Sequence, residues 1–313
     1  VRAVSFVDGR VELREHPDPQ PGAGELLVRV RAAGLNNADL LQRSGLYPAP
    51  AGVPADIPGL ELAGEVVACG PGATRFAPGD RVMALVAGAA QAELAVVHER
   101  HAMPIPDRMG WAEAGGFPEA FVTAHDALFT QCRLTLGERL LVHGAAGGVG
   151  VAAVQLGRAA GARVTATVRD PARREAVRAL GASTVIAPEE FTRYGPYDVV
   201  CELVGAPNLP GDLDALAVGG RIAVIGTGAG AWTEVNLLAV MAKRAQITGS
   251  TLRARSLEEK AVAIRAVEAR VLPLVETEAV RVPVLATFPL TEAAAAYDRF
   301  AAGGKLGKIV LVA

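Results

Sequence analysis

The stretch that most constrains this chain runs from Glu138 to Ala182 and reads ERLLVHGAAGGVGVAAVQLGRAAGARVTATVRDPARREAVRALGA. An apolar run, Leu140-Leu141-Val142, is short enough for a buried strand. Gly144, Gly147, Gly148 and Gly150 follow it at once. A helical pattern then leads through Val151, Val154 and Gln155 to Gly161. A second strand is expected at 164–168 and a second helix at 172–180. The order strand, glycine loop, helix, strand, helix predicts the opening of a dinucleotide-binding unit. Glycines allow the tight turn off the strand. They also let the backbone N–H groups of Ala146, Gly147, Gly148 and Val149 approach a pyrophosphate at a helix N-terminus.

The alternation continues beyond that unit. Strands are expected near 140–143, 164–168, 184–187, 198–202, 221–225 and 246–250, with helices between them, as in a parallel sheet covered on both faces. Val204-Gly205 and Gly226-Thr227 lie just past the fourth and fifth of these strands, at the carboxyl ends where ligands of such sheets gather. Each pair could equally be a plain strand-ending turn.

Residues 1–117 have a different texture. Strands are expected at 3–7, 11–15, 26–33, 62–69, 81–86 and 92–97, punctuated by Asp8-Gly9, a proline-rich loop at 46–59 and Pro78-Gly79-Asp80. A short helix should follow Asn36 or Asn37, either of which could cap it. Helices are expected at 120–129, at 261–271 and at 291–302, the last capped by Thr291. A lone strand, Lys308-Ile309-Val310-Leu311, ends the chain and should return to the N-terminal sheet. The expected division is a β-rich domain from 1–117 and 257–313, and a nucleotide domain from 118–256.

At 313 residues, two domains are the natural expectation. A net charge of −2 gives no basic face for nucleic acid or an anionic membrane. Cys69, Cys132 and Cys201 are far apart, so neither a disulfide framework nor a cysteine zinc cluster is expected. No signal-peptide pattern precedes the first strand and no apolar run reaches membrane length, so the expectation is a cytoplasmic protein.

The runs AAGLNNADLLQRSGLYP (32–48), IPGLELAG (57–64), GDRVMA (79–84), VHGAAGGVG (142–150), GSTLR (249–253) and GKIV (307–310) together resemble the medium-chain dehydrogenase/reductases. They are most similar to the zinc-free quinone oxidoreductases, the zeta-crystallin-like branch, and within it to the tumour-suppressor-induced quinone reductase type. The resemblance implies an α/β fold. A Rossmann doubly wound parallel sheet would be joined to a β-rich GroES-like catalytic domain built from both chain ends. It implies an NADPH-dependent homodimer that reduces a small quinone. An enone, enal or enoyl thioester is the alternative substrate, and a low-turnover crystallin-like NADPH-binding protein the third reading.

The same resemblance places Asn36 and Tyr47 near the nicotinamide and the substrate carbonyl. Asn36 could instead be only a helix cap, and Tyr47 a loop aromatic. Ser250, Leu252 and Lys308 match family positions on the cofactor side, and Glu61 sits behind the site. Zinc alcohol dehydrogenases of the superfamily carry cysteine where Asn36 stands, histidine where Leu60 stands and a second cysteine near Glu119. No metal is therefore expected. Relatives carry Asn-Tyr where this chain has Ala187-Pro188, and Gly-Ser where it has Arg169-Asp170. His16, His98, His101, His125 and His143 show no ligand spacing and read as packing or surface residues.

At the end of the second expected strand, NAD enzymes place Asp or Glu on the ribose 2′-hydroxyl. Here Val168 and Arg169 occupy that corner, with Arg173 following. Guanidinium groups suit a 2′-phosphate, which predicts NADPH over NADH. Asp170 could cap the next helix or pair with an arginine.

Overall fold

The computed structural model describes residues 1–313. The chain forms two compact units, Val1–Val122 with Leu252–Ala313, and Thr123–Thr251. The borders lie at 122 and 252 rather than at 117 and 257. Pro118–Val122 and Leu252–Ser256 thus belong to the β-rich unit.

In chain order, that unit begins with β1 (Arg2–Val7), β2 (Arg10–Glu15), β3 (Glu25–Gly34), α1 (Asn37–Arg43), β4 (Glu61–Cys69), β5 (Arg81–Leu85), β6 (Leu94–His98) and β7 (Ala102–Pro104). Two helices follow, α2 (Trp111–Gly115) and α3 (Pro118–His125). Pro118 opens α3, where its missing N–H costs nothing. The nucleotide unit contributes β8 (Arg139–Val142), α4 (Gly148–Ala159), β9 (Arg163–Thr167), α5 (Arg174–Ala179), β10 (Thr184–Ile186), β11 (Tyr197–Glu202), α6 (Leu209–Asp214), β12 (Leu216–Val224), α7 (Leu237–Lys243) and β13 (Gln246–Gly249). The chain closes with α8 (Leu257–Arg270), α9 (Leu272–Glu276), β14 (Val284–Pro289), α10 (Ala293–Ala301) and β15 (Lys308–Val312).

In the nucleotide unit, the order β10-β9-β8-β11-β12-β13 makes an all-parallel sheet. Numbered within the unit, this is the doubly wound order 3-2-1-4-5-6, whose switch point lies between β8 and β11. Strands buried on both faces must be apolar throughout, and Leu140, Leu141, Val142, Val199 and Val200 are fully buried. Gly157 of α4 has no side chain because a Cβ there would lie 2.6 Å from Leu140 Cδ2.

In the β-rich unit, the order is β14-β15-β3-β4-β5-β7, with β6 also on β3 and β1–β2 as a separate hairpin. The terminal strand β15 pairs antiparallel with β3, as its sequence position predicts. It also pairs parallel with β14, a strand that the sequence reading does not contain. Val4, Leu35, Tyr297, Phe300, Ile309 and Leu311 form one core around α10. Thr291 is not the cap of α10. It lies inside a 3₁₀ turn, Leu290–Glu292, and Glu292 takes the cap position. No helix is long and apolar enough to cross a membrane.

Candidate functional site

In the nucleotide unit, the loop after β8 is built for close backbone approach. Gly144 takes a positive φ of 59°, which turns the chain off the strand. A Cβ on Gly150 would lie 2.5 Å from Gly144 O and 2.6 Å from Ala145 Cα, so only glycine lets the helix start this close to the loop. Gly147 caps α4, and its carbonyl accepts the first helical bond from Val151 N–H at 2.8 Å. The N–H groups of Gly148, Val149 and Gly150 therefore form the open first turn of a 12-residue helix, a set of donors that could hold an anion. Ala146 and Val149 are half-buried beside them.

Arg169 is exposed just past β9. Asp170 does both things the sequence allowed: its carboxylate accepts from Ala172 N–H at 3.0 Å and lies 3.5 Å from Arg173 Nε. Arg174 Nε donates to Val168 O at 3.2 Å, which holds the helix start against the strand end.

Val204 and Gly205 stand in the turn after β11. Their N–H groups donate to the Glu202 carboxylate, with 2.7 Å for Gly205, so neither has a donor left for a phosphate. Their carbonyls accept from Ala229 N–H at 2.9 Å and from Asn208 N–H at 3.1 Å. Gly226 packs so closely that a Cβ would lie 2.3 Å from Leu203 O, while Thr227 is exposed. Beneath the loop, His143 is fully buried. It bonds Thr167 Oγ1 at 3.1 Å and Asp212 Oδ1 at 2.8 Å, and it stands 3.8 Å from Glu202. Burial first, and then Asp212, raise the Glu202 carboxyl, against the opposing pull of His143. This network ties the ends of β8 and β11 together and is structural, as the sequence reading of His143 holds. Ser250, after β13, donates to Asp126 Oδ2 at 2.6 Å.

In the β-rich unit, the sequence brings distant polar residues into one buried cluster. Lys308 opens β15 and is 3% exposed. Its ammonium lies 2.5 Å from Glu61 Oε1, 2.7 Å from Asn36 Oδ1 and 3.0 Å from Leu35 O. Asn36 Nδ2 donates to Glu61 Oε1 at 2.9 Å. Asn36 stands at the N-cap of α1, yet its side chain belongs to this cluster. The capping carboxylate is that of Asp39, which accepts from Asn36 N–H at 2.8 Å. Gly34 makes room for all of it, since a Cβ there would lie 2.3 Å from Glu61 Oε1. Glu61 Oε2 also accepts from Glu119 N–H at 2.8 Å and so fixes the start of α3.

Tyr47 is half-buried in the loop after α1. Arg253, which the sequence reading leaves as part of a family run, holds it in place. Its guanidinium donates to Tyr47 O at 2.9 Å, to Ala87 O at 2.7 Å and to Gln42 Oε1 at 2.6 Å, and it lies 5.1 Å from the Tyr47 ring centre. Burial and the negative charge of Glu119 raise the phenol above its ordinary value, against the opposing pull of Arg253. Tyr47 is thus a neutral hydrogen-bond donor at physiological pH. Leu252 is buried next to Arg253.

The residues at the superfamily's zinc positions do not fit zinc. Leu60 is buried and brings no donor atom. The Lys308 ammonium already lies on Asn36 and Glu61, so a divalent cation on those atoms would meet a fixed positive charge.

Comparison with known proteins follows this geometry. Residues 22–132 match the family described as the alcohol dehydrogenase GroES-like domain. Residues 148–268 match the one described as zinc-binding dehydrogenase. The quinone oxidoreductase of Pseudomonas aeruginosa is 33% identical over 313 residues, 96% of this chain and 95% of that protein. The spectinabilin polyketide synthase system protein NorB of Streptomyces orinoci is 35% identical over 308 residues, 94% of this chain and 14% of that protein. A mycobacterial protein solved in complex with NADPH has a TM-score of 0.89 and 27% identity, covering 100% of both chains.

Proposed function

The chain belongs to the medium-chain dehydrogenase/reductase superfamily, beside its quinone oxidoreductases, and from that premise we propose that it reduces quinones with NADPH, without zinc. The observation that carries this reading is the open first turn of α4 behind Gly144–Gly147, with Arg169 exposed and Arg173 beside it at the corner that follows β9, where the Asp170 carboxylate is turned to Ala172 N–H and Arg173. Bound there, NADPH would supply a hydride equivalent to an acceptor conjugated to a carbonyl. Such an acceptor spreads the resulting charge and needs positioning more than a Lewis acid.

The chain's own residues then have distinct tasks. Gly148 and Val149 hold the pyrophosphate through their N–H groups, with Ala146 and Gly147 lining it; the Gly147 N–H itself is turned to Gly144 O at 3.0 Å, against the sequence expectation. Arg169 and Arg173 pair with the 2′-phosphate. Gly226, Thr227, Ser250 and Leu252 are assigned to the remaining cofactor surface, with the turn at Val204 and Gly205 as its backbone support. Asn36 has a second lone pair on Oδ1 and accepts from the cofactor's ribose or carboxamide, with Lys308 fixing the amide's orientation. Tyr47 donates to the oxyanion that develops on the substrate.

A second reading, reduction of α,β-unsaturated carbonyls, is favoured by the likeness to polyketide synthase proteins. Steady-state rates with NADPH against a quinone panel and an enal and enone panel separate the two. Higher kcat/KM on quinones supports the first and higher kcat/KM on enals the second. No turnover on either panel overturns both.

Charge-assisted hydrogen bonds of the Arg169 and Arg173 kind are worth about 1.5–3 kcal/mol each. Arg169→Ala is therefore expected to cut the NADPH over NADH preference in kcat/KM about tenfold or more. Arg173→Ala should act in the same direction by less, because Asp170 already engages that side chain. Equal use of NADH by the wild type would sink the assignment.

The assembly we propose is a homodimer in the cytoplasm, where the three free cysteines stay reduced. β13 is the outer strand of its sheet, with Ile247 40% exposed. Leu237, Leu238 and Met241 of the neighbouring α7 are more than 70% exposed. An unprotected edge beside apolar surface invites pairing with a second copy. Light scattering at micromolar concentration should give the dimer mass, and a monomer mass contradicts this.

A further inference from the structure

We infer that Glu119 is the acid of this reaction: resting on the reductase reading above, its carboxyl gives a proton to the substrate oxygen that hydride delivery has made negative. The step balances simply. The hydride hydrogen forms a C–H bond at the β carbon of an enone, or an O–H bond at one oxygen of a quinone, and its electron pair leaves the remaining carbonyl oxygen as an oxyanion. The Glu119 O–H bond breaks, a new O–H bond forms on that oxygen, and water reprotonates Glu119 before the next turnover. A quinone leaves as hydroquinone, and an enone leaves as enol and tautomerises.

The geometry singles out this carboxyl by elimination among its neighbours. Asp39 is committed to the N–H groups of Asn36 and Gly59. Glu61 is committed to Lys308, Asn36 and the backbone of Glu119 itself. The cations are committed as well. Lys308 is spent on Glu61, Asn36 Oδ1 and Leu35 O. Lys260 donates to Arg253 O, and Arg253 bonds Tyr47 O, Ala87 O and Gln42. Glu119 alone has its backbone fixed and its carboxyl without a hydrogen bond or ion pair inside this unit. It is partly exposed, so a ligand can reach it. Its backbone is tied through Glu61 to Asn36, the side chain assigned to the cofactor's ribose or carboxamide.

An unpaired carboxyl in this setting keeps its proton up to near neutral pH. Burial, then the charges of Glu61 and Asp39, push Glu119 up to about 7, against the opposing pull of Lys308 and Lys260. An acid poised near the working pH is the efficient one, and such groups contribute about 10²–10⁴-fold to rate. The sign is definite: the protonated form acts, so activity is full below that value and falls as pH rises through it.

The test uses wild type, Glu119→Gln and Glu119→Asp. In cofactor-free protein, carboxyl infrared difference spectra should show a protonated acid that titrates near pH 7 in wild type and is missing in Glu119→Gln. With NADPH and the better acceptor, wild-type kcat should fall about tenfold per pH unit above that value. Glu119→Gln should lose about a hundredfold or more in kcat and lose this limb, and Glu119→Asp should recover both in part. An active wild type with an unchanged limb and kcat in Glu119→Gln overturns the acid role alone. So does the absence of a titrating carboxyl in the spectra. A wild type inactive on both panels overturns the reductase reading and the acid role with it.

Discussion

Lys308→Met is expected to destabilise the protein by about 3–5 kcal/mol, because it leaves the fully buried Glu61 carboxylate without its cation. A surface ion pair would cost far less, about 0–1 kcal/mol. What sets this pair apart is burial together with the shared partner Asn36, whose Oδ1 and Nδ2 touch both members. The loss propagates to the site. Without Lys308 the Asn36 amide can rotate, and Glu61 can turn away from the start of α3. Glu61→Gln combined with Lys308→Met removes both charges and should recover most of the stability, since a neutral amide still accepts from Glu119 N–H. Thermal unfolding of the single and double variants checks this. A single variant within 1 kcal/mol of wild type, on the order of an exposed pair, would mean that the cluster is not the electrostatic unit described above.

Gly150→Ala carries the second large effect. The new methyl would lie 2.5 Å from Gly144 O and 2.6 Å from Ala145 Cα, both backbone atoms that cannot swing aside. The loop must move off the helix start, and with it the carbonyl and N–H groups that frame the anion site. Overpacking of this kind costs about 1–3 kcal/mol. If that strain falls on the bound form, NADPH affinity drops by about 10–100-fold. Calorimetric titration of NADPH, with circular dichroism to confirm a retained fold, reads it out. Unchanged affinity would remove the glycine loop from the cofactor site.

The nucleotide unit is legible in the sequence because its signals are local. Leu140-Leu141-Val142, the glycines and the helix after them lie within one βαβ unit, and each glycine answers a backbone need a few residues away. The doubly wound parallel sheet is what the family resemblance implies, and the structure has it. The polar cluster is different. Glu61 and Lys308 meet only because β15 returns beside β3, and no spacing in the chain announces which carboxylate a C-terminal lysine will find. Asn36 shows the same limit. Its cap position was readable from the residues that follow, but its side chain answers to Glu61 and Lys308, while Asp39 does the capping. β14 is hidden for a local reason. Its six residues, VLATFP, sit between prolines and are only half-buried, so neither alternation nor an apolar run marks them. The N–H groups of Val204 and Gly205 turn to Glu202, a residue whose raised carboxyl and buried setting no composition reveals. Glu119 likewise looks like an ordinary helix-start carboxylate until its neighbours are known.

The proposed reaction moves hydride from NADPH to an acceptor conjugated to a carbonyl. It is tested by following NADPH oxidation in metal-free buffer containing a chelator, with the best quinone or enone, using NADPH and NADPH deuterated at the transferred position of C4. The expected result is turnover that requires the acceptor, survives chelation, consumes one NADPH per acceptor reduced and slows on deuteration. NADPH binding without acceptor-dependent oxidation, or turnover that chelation abolishes and zinc restores, would contradict it.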